Sequence, residues 1–260
     1  MRIVDLSKEN EKTFFVCFEE WSPDMKESGN HKEIWCRKMM DKGLRIKLAV
    51  DDNGAAGGLI QYLPIEHSFV EGKDLYFITC IWVHGHKAGI GNVQGKGMGK
   101  ALVEAAEEDA RRLGAKGISA WGLSEPFWMP AAWFEKHGYK EADRQGMMVL
   151  LWKPFTDDAT PPKWMSLKKK PKPQKGIVTV TALKNGWCPA QNLTFERTKR
   201  AISEFGDKVK FNVIDTIDRN IIDEWGIAEG LFIDDEILEF GPPPSYEQLK
   251  SIIAEKVKLL

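Results

Sequence analysis

Hydrophobic and polar residues alternate along this chain with two periods, and each change of period marks a predicted strand or helix. Residues 44–50 alternate as a half-buried strand does, whereas residues 74–83 are almost continuously apolar or β-favouring, as in a central strand. Apolar positions at helical spacing, ended by a glycine, predict helices at residues 30–42 and 99–113. Further elements are predicted as strands at 57–65, 117–121 and 147–152 and a short helix at 130–137. This alternation predicts an α/β fold.

A loss of periodicity separates this first part from a second, smaller one. Between Lys153 and Lys175 repeated prolines interrupt any helix or strand and lysines make the segment positive, so we expect an extended linker. The predicted domains are therefore residues 1–153 and 176–260, joined by a linker at 154–175. The second part is predicted to contain strands at 176–183 and 209–215, helices at 193–205 and 221–225, a hairpin at 231–238 and a helix at 246–257.

Composition narrows the functional classes. A net charge of −1 over 260 residues gives no overall field that would attract nucleic acid or a membrane surface. No apolar run approaches the ~20 residues that span a bilayer, and the first residues lack the apolar core of a signal peptide, so a cytosolic location is expected. The four cysteines form neither a CxxC pair nor a disulfide framework, which fits a reducing compartment. His84 and His86 lack a third partner for a metal site, and no metal is predicted.

The most informative motif is a glycine-rich loop that runs directly into the helix at 99–113. Glycines at this spacing let backbone N–H groups turn inward around an anion, and the helix adds the positive end of its dipole. A phosphate is therefore expected there, against the alternative of a glycine turn without a ligand. Gly99-Lys100-Ala101 does not fit a Walker A loop, no acidic residue completes a Rossmann motif, and no amphipathic helix follows Gly89-Ile90-Gly91.

Residues 1–153 resemble the GNAT family of N-acetyltransferases. Gln94, Gly97 and Gly99 match the family's pyrophosphate loop, Gln/Arg-x-x-Gly-x-Gly/Ala, and Ile81-Trp82-Val83 and the segment 133–139 fit its central strand and late helix. The whole chain is similar to the subgroup with a YoaP-like C-terminal domain, through Glu20-Trp21-Ser22, residues 61–68 and residues 82–87. The resemblance implies a mixed central sheet flanked by helices, followed by a small thioredoxin-like domain.

The resemblance also implies a reaction: direct attack of a primary amine on the thioester of acetyl-CoA, in a ternary complex. The acceptor would be a small molecule or a peptide. The residues implied to hold acetyl-CoA are the backbone of the central strand at Ile81, Trp82 and Val83, and the loop residues Gln94, Gly95, Lys96, Gly97, Met98, Gly99 and Lys100. A backbone N–H of that strand would stabilise the oxyanion.

The implied reaction needs a base if the amine arrives as an ammonium, and position along the chain gives two candidates. Two departures from the family pattern lie in the late segment. His84, after the central strand, is the predicted general base, and Glu66, after the neighbouring strand, is the carboxylate alternative. The alternative for each is a solvated surface residue. Phe134 stands where the family often has a tyrosine that protonates the leaving thiolate, and an asparagine of the family is missing near Phe127.

A set of aromatic residues is predicted to surround the acceptor. It consists of Trp82, Trp121, Trp128 and Trp133, with Phe127 and Met129. Such a set favours an aromatic acceptor or a cation held over a ring face, although each residue alone could equally be core.

The motif Trp187-Cys188-Pro189-Ala190-Gln191 lies between a predicted strand and helix of the second part, where a thioredoxin keeps Trp-Cys-x-x-Cys. Gln191 replaces the resolving cysteine, and Glu229-Gly230-Leu231 offers no counterpart of the cis-proline. We therefore expect a structural or substrate-presenting role, with monothiol chemistry at Cys188 as the alternative. The rival function is a CoA-binding or monothiol module without acetyl transfer, and a different acyl donor is a third possibility. The sequence leaves the acceptor and the oligomeric state open.

Overall fold

A computed structural model describes residues 1–126, 128–238 and 241–260 of the chain, which form two compact units. Unit 1 comprises Met1–Trp21 and Cys36–Met165, and unit 2 comprises Ser22–Trp35 and Ser166–Leu260. These boundaries differ from the predicted ones at two places. The first part of the expected linker belongs to unit 1, where Met165 is buried, and residues 22–35 group with the C-terminal part of the chain.

Most of the predicted elements are present. The described helices are α1 (Glu11–Phe15), α2 (Pro23–Glu27), α3 (His31–Met40), α4 (Met98–Arg112), α5 (Ala131–Lys136), α6 (Pro189–Ile202), α7 (Arg219–Trp225) and α8 (Tyr246–Val257). The described strands are β1 (Arg2–Asp5), β2 (Arg45–Val50), β3 (Ala56–Pro64), β4 (Val70–Glu71), β5 (Leu75–Val83), β6 (Gly117–Leu123), β7 (Lys140–Gln145), β8 (Met148–Pro154), β9 (Lys163–Trp164), β10 (Val178–Lys184), β11 (Val209–Asp215), β12 (Gly230–Ile233) and β13 (Glu236–Ile237). The sequence had not indicated α1, α2, β1, β4, β7 or β9. Helix α6 begins at Pro189, earlier than predicted, because proline is tolerated in a first helical turn.

Unit 1 is built on a seven-stranded sheet of order β1-β2-β3-β5-β6-β8-β7. The β5–β6 pair is parallel and the other pairs are antiparallel, so the sheet is mixed, as the family resemblance implied. Helix α4 packs on β2, β3 and β5 with its buried residues Leu102, Val103, Ala106 and Ala110.

The two parallel strands of this sheet separate along their length. They pair from Leu75–Gly117 to Ile78–Ala120, while β5 continues to Val83 and β6 to Leu123. Within the described residues no strand pairs with this edge of β5 beyond Ile78. At the narrow end the indole Nε1 of Trp121 donates to the carbonyl oxygen of Thr79 across 2.8 Å. A gap thus opens toward the end of β5.

A buried carboxylate fastens α4 to the sheet. Asp109, 3% exposed, accepts hydrogen bonds from Tyr62 Oη at 2.7 Å and Arg45 Nε at 2.9 Å, and a further one from Arg112. Burial alone would raise the pKa of Asp109, but hydrogen bonds from Arg112, Tyr62 and Arg45 lower it to about 2. The helix that follows the glycine loop is therefore fixed on β2 and β3.

Unit 2 contains a four-stranded sheet of order β11-β10-β12-β13. Strand β10 is parallel to β11 and antiparallel to β12. Helices α6 and α8 pack together over one apolar cluster, which includes Val178, Val180, Ala201 and Leu249. Helix α7 supplies Trp225 to a separate cluster with Leu183 and Phe232.

Throughout residues 1–126, 128–238 and 241–260, no helix has both the length and the apolar surface needed to cross a membrane.

Candidate active site

The glycine loop presents an open concave backbone at the start of α4. Gly95 and Gly97 have φ values of 75° and 81°, and Gly97 is the N-cap of the helix. This left-handed region favours glycine. A methyl group built on either glycine would meet no atom within 4 Å, so the space in front of the loop is open. The first turn of α4 carries no acidic side chain, and Gly97 offers no capping side chain to its N–H groups. These N–H groups are therefore available to an anion.

The side chains of this loop have separate roles. Gln94 Nε2 donates to the carbonyl oxygen of Val83 at 3.0 Å, which ties the loop to the end of β5. A methyl group on Gly85 would lie 2.6 Å from the same nitrogen, so the amide is closely packed. Met98 is buried, whereas Lys96 and Lys100 are exposed. Among the predicted cofactor residues, Gln94 thus shapes the loop through its side chain.

The backbone of β5 faces two directions. The N–H of His84 donates to Gly57 O at 2.9 Å, and Trp82 is paired with Leu59 on β3. Because successive residues of a strand direct their backbone groups to opposite sides, Ile81 and Val83 point theirs into the gap beside β6. Of the three residues predicted to align pantetheine, Ile81 and Val83 therefore have the required backbone orientation. The backbone of Trp82 is committed to β3.

His84 is fully buried, at 0% exposed, instead of lying in a solvated loop. Its Nδ1 lies 2.8 Å from the carbonyl oxygen of Gly91, and Val93 N donates to His84 O at 3.0 Å. Because a carbonyl oxygen only accepts, Nδ1 must carry the hydrogen, which in the neutral ring leaves Nε2 as an acceptor. Nε2 is buried and has no hydrogen-bond partner among the described residues.

Aromatic rings surround this imidazole, and we call Trp21, Trp82, His84 and His86 the imidazole cluster. The ring of Trp21 meets His84 and His86 edge-on, with centroid distances of 6.5 and 5.5 Å, and Trp82 lies 6.0 Å from His86. Trp82 Nε1 is a second buried nitrogen without a partner in the described chain. Glu19 Oε1 lies 3.5 Å from His86 Nε2 and brings a carboxylate to the rim of the cluster.

Gly89 leaves room for the Trp21 ring beside His84. It has a φ of 62°, and a methyl group on it would lie 2.6 Å from Trp21 Cδ1 and 3.8 Å from His84 Nε2. Only a glycine fits this position beside the indole. Sequence reasoning missed Trp21, Glu19 and the role of Gly89 and Gly91. The available signal was the second glycine pair, which had no helix after it and therefore needed another explanation.

Glu66 lies far from His84. Its residue belongs to a short 3₁₀ turn after β3, and Oε1 accepts a hydrogen bond from the N–H of Asp74 at 2.8 Å. Pro64 pairs with Tyr76 at the start of β5, whereas His84 follows the end. At about 3.3 Å per residue the positions of Tyr76 and His84 are roughly 26 Å apart along the strand. The two predicted catalytic residues are therefore not brought together.

The other predicted aromatics fall into separate groups. Trp121 and Trp128 meet edge-on at 5.2 Å, and Trp133 stacks on His137 at 4.1 Å while lying against Gly99. Phe134 is 0% exposed. Phe127, also predicted for the acceptor site, lies outside the described residues. Trp82 therefore belongs with Trp21 and the histidines, and the predicted single aromatic cleft is divided.

Within unit 2, Cys188 is the N-cap of α6 and is buried. The carboxylate of Glu229 accepts hydrogen bonds from the Trp187 side chain and from the Gly186 backbone. Burial raises the pKa of Glu229 to about 8, and these two hydrogen bonds only partly oppose it.

The chain is similar to an acetyltransferase and to a thioredoxin. The N-acetyltransferase YoaP of Bacillus subtilis, itself described as uncharacterized, is 24% identical over 165 residues, which are 60% of this chain and 62% of YoaP. The match thus spans less than two thirds of that relative. A thioredoxin of Methanocaldococcus jannaschii is 32% identical over 75 residues, which are 28% of this chain and 85% of the thioredoxin.

Two solved structures of acetyltransferases also resemble this chain. PaiA N-acetyltransferase of Thermoplasma acidophilum in complex with coenzyme A has 18% identity and a TM-score of 0.43, and covers 60% of this chain and 100% of its own. The GNAT protein YhbS of Escherichia coli in complex with CoA has 13% identity and a TM-score of 0.45, and covers 62% and 88%. The family model described as Acetyltransferase (GNAT) family matches residues 6–139, which is more than half of the chain. The chain therefore belongs to the acetyltransferase (GNAT) family.

Proposed function

We propose that this protein transfers the acetyl group of acetyl-CoA to a primary amine in a ternary complex, without a covalent enzyme intermediate. One observation carries the proposal: the open, glycine-lined start of α4 lies beside the unpaired edge of β5. The chain that contains both is a member of the GNAT family. The first can receive a pyrophosphate and the second an extended pantetheine chain. The name of the Bacillus relative, an N-acetyltransferase, supports the same reaction.

On the donor side, the N–H groups of the loop and of the first turn of α4 would hold the pyrophosphate. The pantetheine would pair with Ile81 and with the N–H of Val83 as an added strand does, because these backbone groups face the gap. The carbonyl oxygen of Val83 already accepts from Gln94. An N–H of this edge would then donate to the thioester oxygen and stabilise the negative charge that develops on it. Lys96 and Lys100 would add positive charge near the phosphates.

The chemical step needs a free amine. In our proposal His84 Nε2 accepts a proton from the ammonium, the amine nitrogen forms a bond to the carbonyl carbon, and the C–S bond breaks. CoA leaves as its thiolate, which takes up the second proton that the amine nitrogen loses as the amide forms. A thiol with a pKa near 8.5 is a tolerable leaving group. Phe134, with no hydroxyl and no exposure, supplies no proton to it. A missing general acid costs about 10²–10⁴-fold at most.

The surroundings of His84 favour a particular acceptor chemistry. Trp21 and Trp82 offer ring faces and Glu19 a carboxylate, the combination that stabilises an ammonium group before it is deprotonated. The acceptor would thus be a small molecule or a peptide that presents a primary ammonium group.

We further propose that unit 2 is a thioredoxin-like accessory domain. Its order of elements, the position of Cys188 before α6 and the match to a thioredoxin support this. Gln191 in place of a second cysteine argues against dithiol exchange. Monothiol chemistry without acetyl transfer is the rival function, and the burial of Cys188 argues against it.

Calorimetric titration of acetyl-CoA and CoA into the full-length protein tests the donor site. Gly97→Ala should weaken binding at least about tenfold, because the added methyl strains a left-handed residue and occupies the space in front of the N–H groups. Gly114→Ala is the matched control: this glycine follows the other end of α4, has a φ of 84° and meets no atom within 4 Å. It should lose similar stability and keep full affinity.

Thiol release in the presence of a panel of primary amines then tests turnover. Micromolar binding with amine-dependent release of CoA supports the proposal. If neither nucleotide binds at millimolar concentration, the acetyltransferase proposal is wrong. Alkylation of Cys188 well below pH 8 would then favour the rival.

A further inference from the structure

The nitrogen that the proposed base offers to the acceptor lies in a narrow space. His84 is 0% exposed, and its Nε2 has no hydrogen-bond partner within residues 1–126, 128–238 and 241–260. The rings of the imidazole cluster, all of them in unit 1, lie within contact distance of one another: Trp21 and His84 at 6.5 Å, Trp21 and His86 at 5.5 Å, Trp82 and His86 at 6.0 Å, and His84 and His86 at 5.5 Å. A donor that reaches Nε2 therefore has to be slender.

Gly89 shows how little room this space holds. It borders the widest of these pairs, Trp21 and His84. A methyl group built on Gly89 would lie 3.8 Å from His84 Nε2, an ordinary contact distance, but only 2.6 Å from Trp21 Cδ1. Carbon atoms in contact are about 3.5–4.0 Å apart, so Trp21 would have to move by about 1 Å to admit one methyl-sized group. An ammonium group is of similar size and is admitted by the same small movement.

The two walls of this space differ in how firmly they are held. The imidazole of His84 is fixed through Nδ1 by Gly91 O at 2.8 Å, and its backbone N–H donates to Gly57 O at 2.9 Å. Trp21 is 39% exposed and is the wall that can yield. A substituent on the carbon next to the amine would bring a second methyl-sized group to the same depth. To admit it, the indole would have to leave its contacts with His84 and His86.

The rim of the space suits a cation, because Glu19 Oε1 lies 3.5 Å from His86 Nε2 and the indoles offer ring faces. We infer that Trp21 and Gly89 are specificity-determining residues that admit only amines carried by an unbranched carbon, so that the acceptor presents an aminomethyl group. This inference rests on the proposed acetyl transfer and narrows its acceptor. An amine on a branched carbon, such as the α-amine of a peptide, is excluded.

Two isomers that differ only in the position of the free amine provide the first test. Nα-acetyl-lysinamide carries its amine on an unbranched carbon, and Nε-acetyl-lysinamide carries it on a branched one. Butylamine and sec-butylamine form a second pair without a peptide group. Each is titrated at constant pH into isotopically labelled full-length protein saturated with CoA. The imidazole nitrogen resonance of His84, identified by its loss in His84→Asn, should shift at concentrations at least about tenfold lower for the unbranched member of each pair.

Gly89→Ala tests the space itself. The added methyl fills the room beside Nε2, so no amine of either pair should shift the His84 resonance. Gly146→Ala is the matched control, because Gly146 has a φ of 58°, close to the 62° of Gly89, and a methyl group on it would meet no atom within 4 Å. It should bear similar backbone strain and keep the wild-type response. An unchanged affinity for acetyl-CoA in both variants shows that unit 1 is folded.

Kinetics with the two lysinamides give a second readout. The α-amine has a pKa of about 8 and the side-chain amine one of about 10.4, so at pH 8 reactivity alone would favour the branched isomer. The wild type should instead have a kcat/KM at least about tenfold higher for the unbranched isomer, and Trp21→Ala should bring the ratio close to one.

The inference is wrong if the branched amines shift the His84 resonance as readily as the unbranched ones, if no amine shifts it, or if the preference survives in Trp21→Ala. The proposed function fails separately. If wild-type protein neither binds acetyl-CoA nor acetylates any amine, acetyl transfer is wrong, whatever the pattern of shifts is. If it acetylates amines on branched carbons equally well, acetyl transfer stands and the inference does not.

Discussion

The carbonyl oxygen of Gly91 lies 2.8 Å from Nδ1 of His84, and this single contact determines what the other ring nitrogen can do. A carbonyl accepts and cannot donate, so the hydrogen of the neutral imidazole is held on Nδ1. Nε2 is left with a lone pair in a buried, aromatic-lined space. The loop of residues 85–93 thus holds His84 in the tautomer that the proposed role as a base requires.

Replacement of His84 by asparagine should separate this contact from the base. The asparagine amide can still donate to Gly91 O, but it cannot accept a proton. We expect normal folding and acetyl-CoA affinity, with kcat/KM lower by about 10²–10⁴-fold. The remaining rate should rise with pH as more of the amine is free. Steady-state kinetics from pH 6 to pH 9 measure this.

His137→Asn is the matched control for that variant, because His137 Nδ1 likewise contacts a backbone oxygen, Trp133 O, at 2.7 Å. It should alter kcat/KM by much less than His84→Asn does. Equal losses in the two variants would mean that removal of an imidazole damages the fold, and His84 would lose its assignment as the base.

Trp21 should affect the binding of the amine acceptor and leave the binding of acetyl-CoA unchanged. Its side chain is 39% exposed, so Trp21→Ala should cost little stability. Loss of a ring face near the ammonium should raise the amine KM about tenfold, and Trp21→Phe should recover most of it. Calorimetry should give an unchanged affinity for acetyl-CoA. A parallel rise in the KM of both substrates would contradict this assignment.

Local patterns predicted the elements that are decided locally. Helix α8 has its predicted bounds, 246–257. Its start is determined locally, since Ser245 and Gln248 form a capping box and a loop with three prolines precedes it. The glycine loop was also recognisable, since its φ values require glycine. The strands β4 and β9 could not be predicted, because two residues are too few to show a period and their partners are far apart in sequence.

The candidate site was predictable only in part, for a related reason. His84 was selected for its position after a strand, but its burial depends on a fold-back to Gly91 that no periodicity reveals. Glu66 was selected by the same argument, yet the antiparallel register places it at the other end of β5. Residues 22–35 group with unit 2, where ion pairs join residues 170 or more positions apart. Contacts of this kind are properties of the folded chain alone.

Asp109 should make the stability of unit 1 depend on acid pH. Its pKa is lowered to about 2 in the folded state, against roughly 3.9 in an unfolded chain. A lowered pKa stabilises the fold above the unfolded value, and this contribution, about 2 kcal/mol, is lost as the pH falls from about 4 to about 2. Urea unfolding followed by tryptophan fluorescence should therefore show that Asp109→Asn is less stable than wild type at pH 7.

The stability difference between Asp109→Asn and wild type should shrink as the pH is lowered through this range. Asp5→Asn is the control, because Asp5 is 70% exposed and makes one ion pair, with Lys47. It should change stability by less than about 1 kcal/mol at any pH. A constant deficit in Asp109→Asn from pH 7 to pH 3 would show that the carboxylate charge is not what fastens α4.

Glu229 should affect stability in the opposite direction, with its stabilisation lost as the pH rises from about 4 to about 8. Burial raises its pKa to about 8, so the folded protein keeps a proton there that an unfolded chain releases near pH 4.3. Its contribution to stability is complete below about pH 4.3 and is lost as the pH rises to about 8.

Glu229→Gln cannot ionise, and its amide oxygen can still accept from Trp187 or Gly186. Thermal unfolding should therefore show that Glu229→Gln gains on wild type steadily between pH 5 and pH 8, whereas Glu255→Gln, an exposed site on α8, keeps a constant difference. Because every other titrating group is shared with wild type, a difference that does not change with pH would mean that the Glu229 carboxyl is ionised in the folded protein.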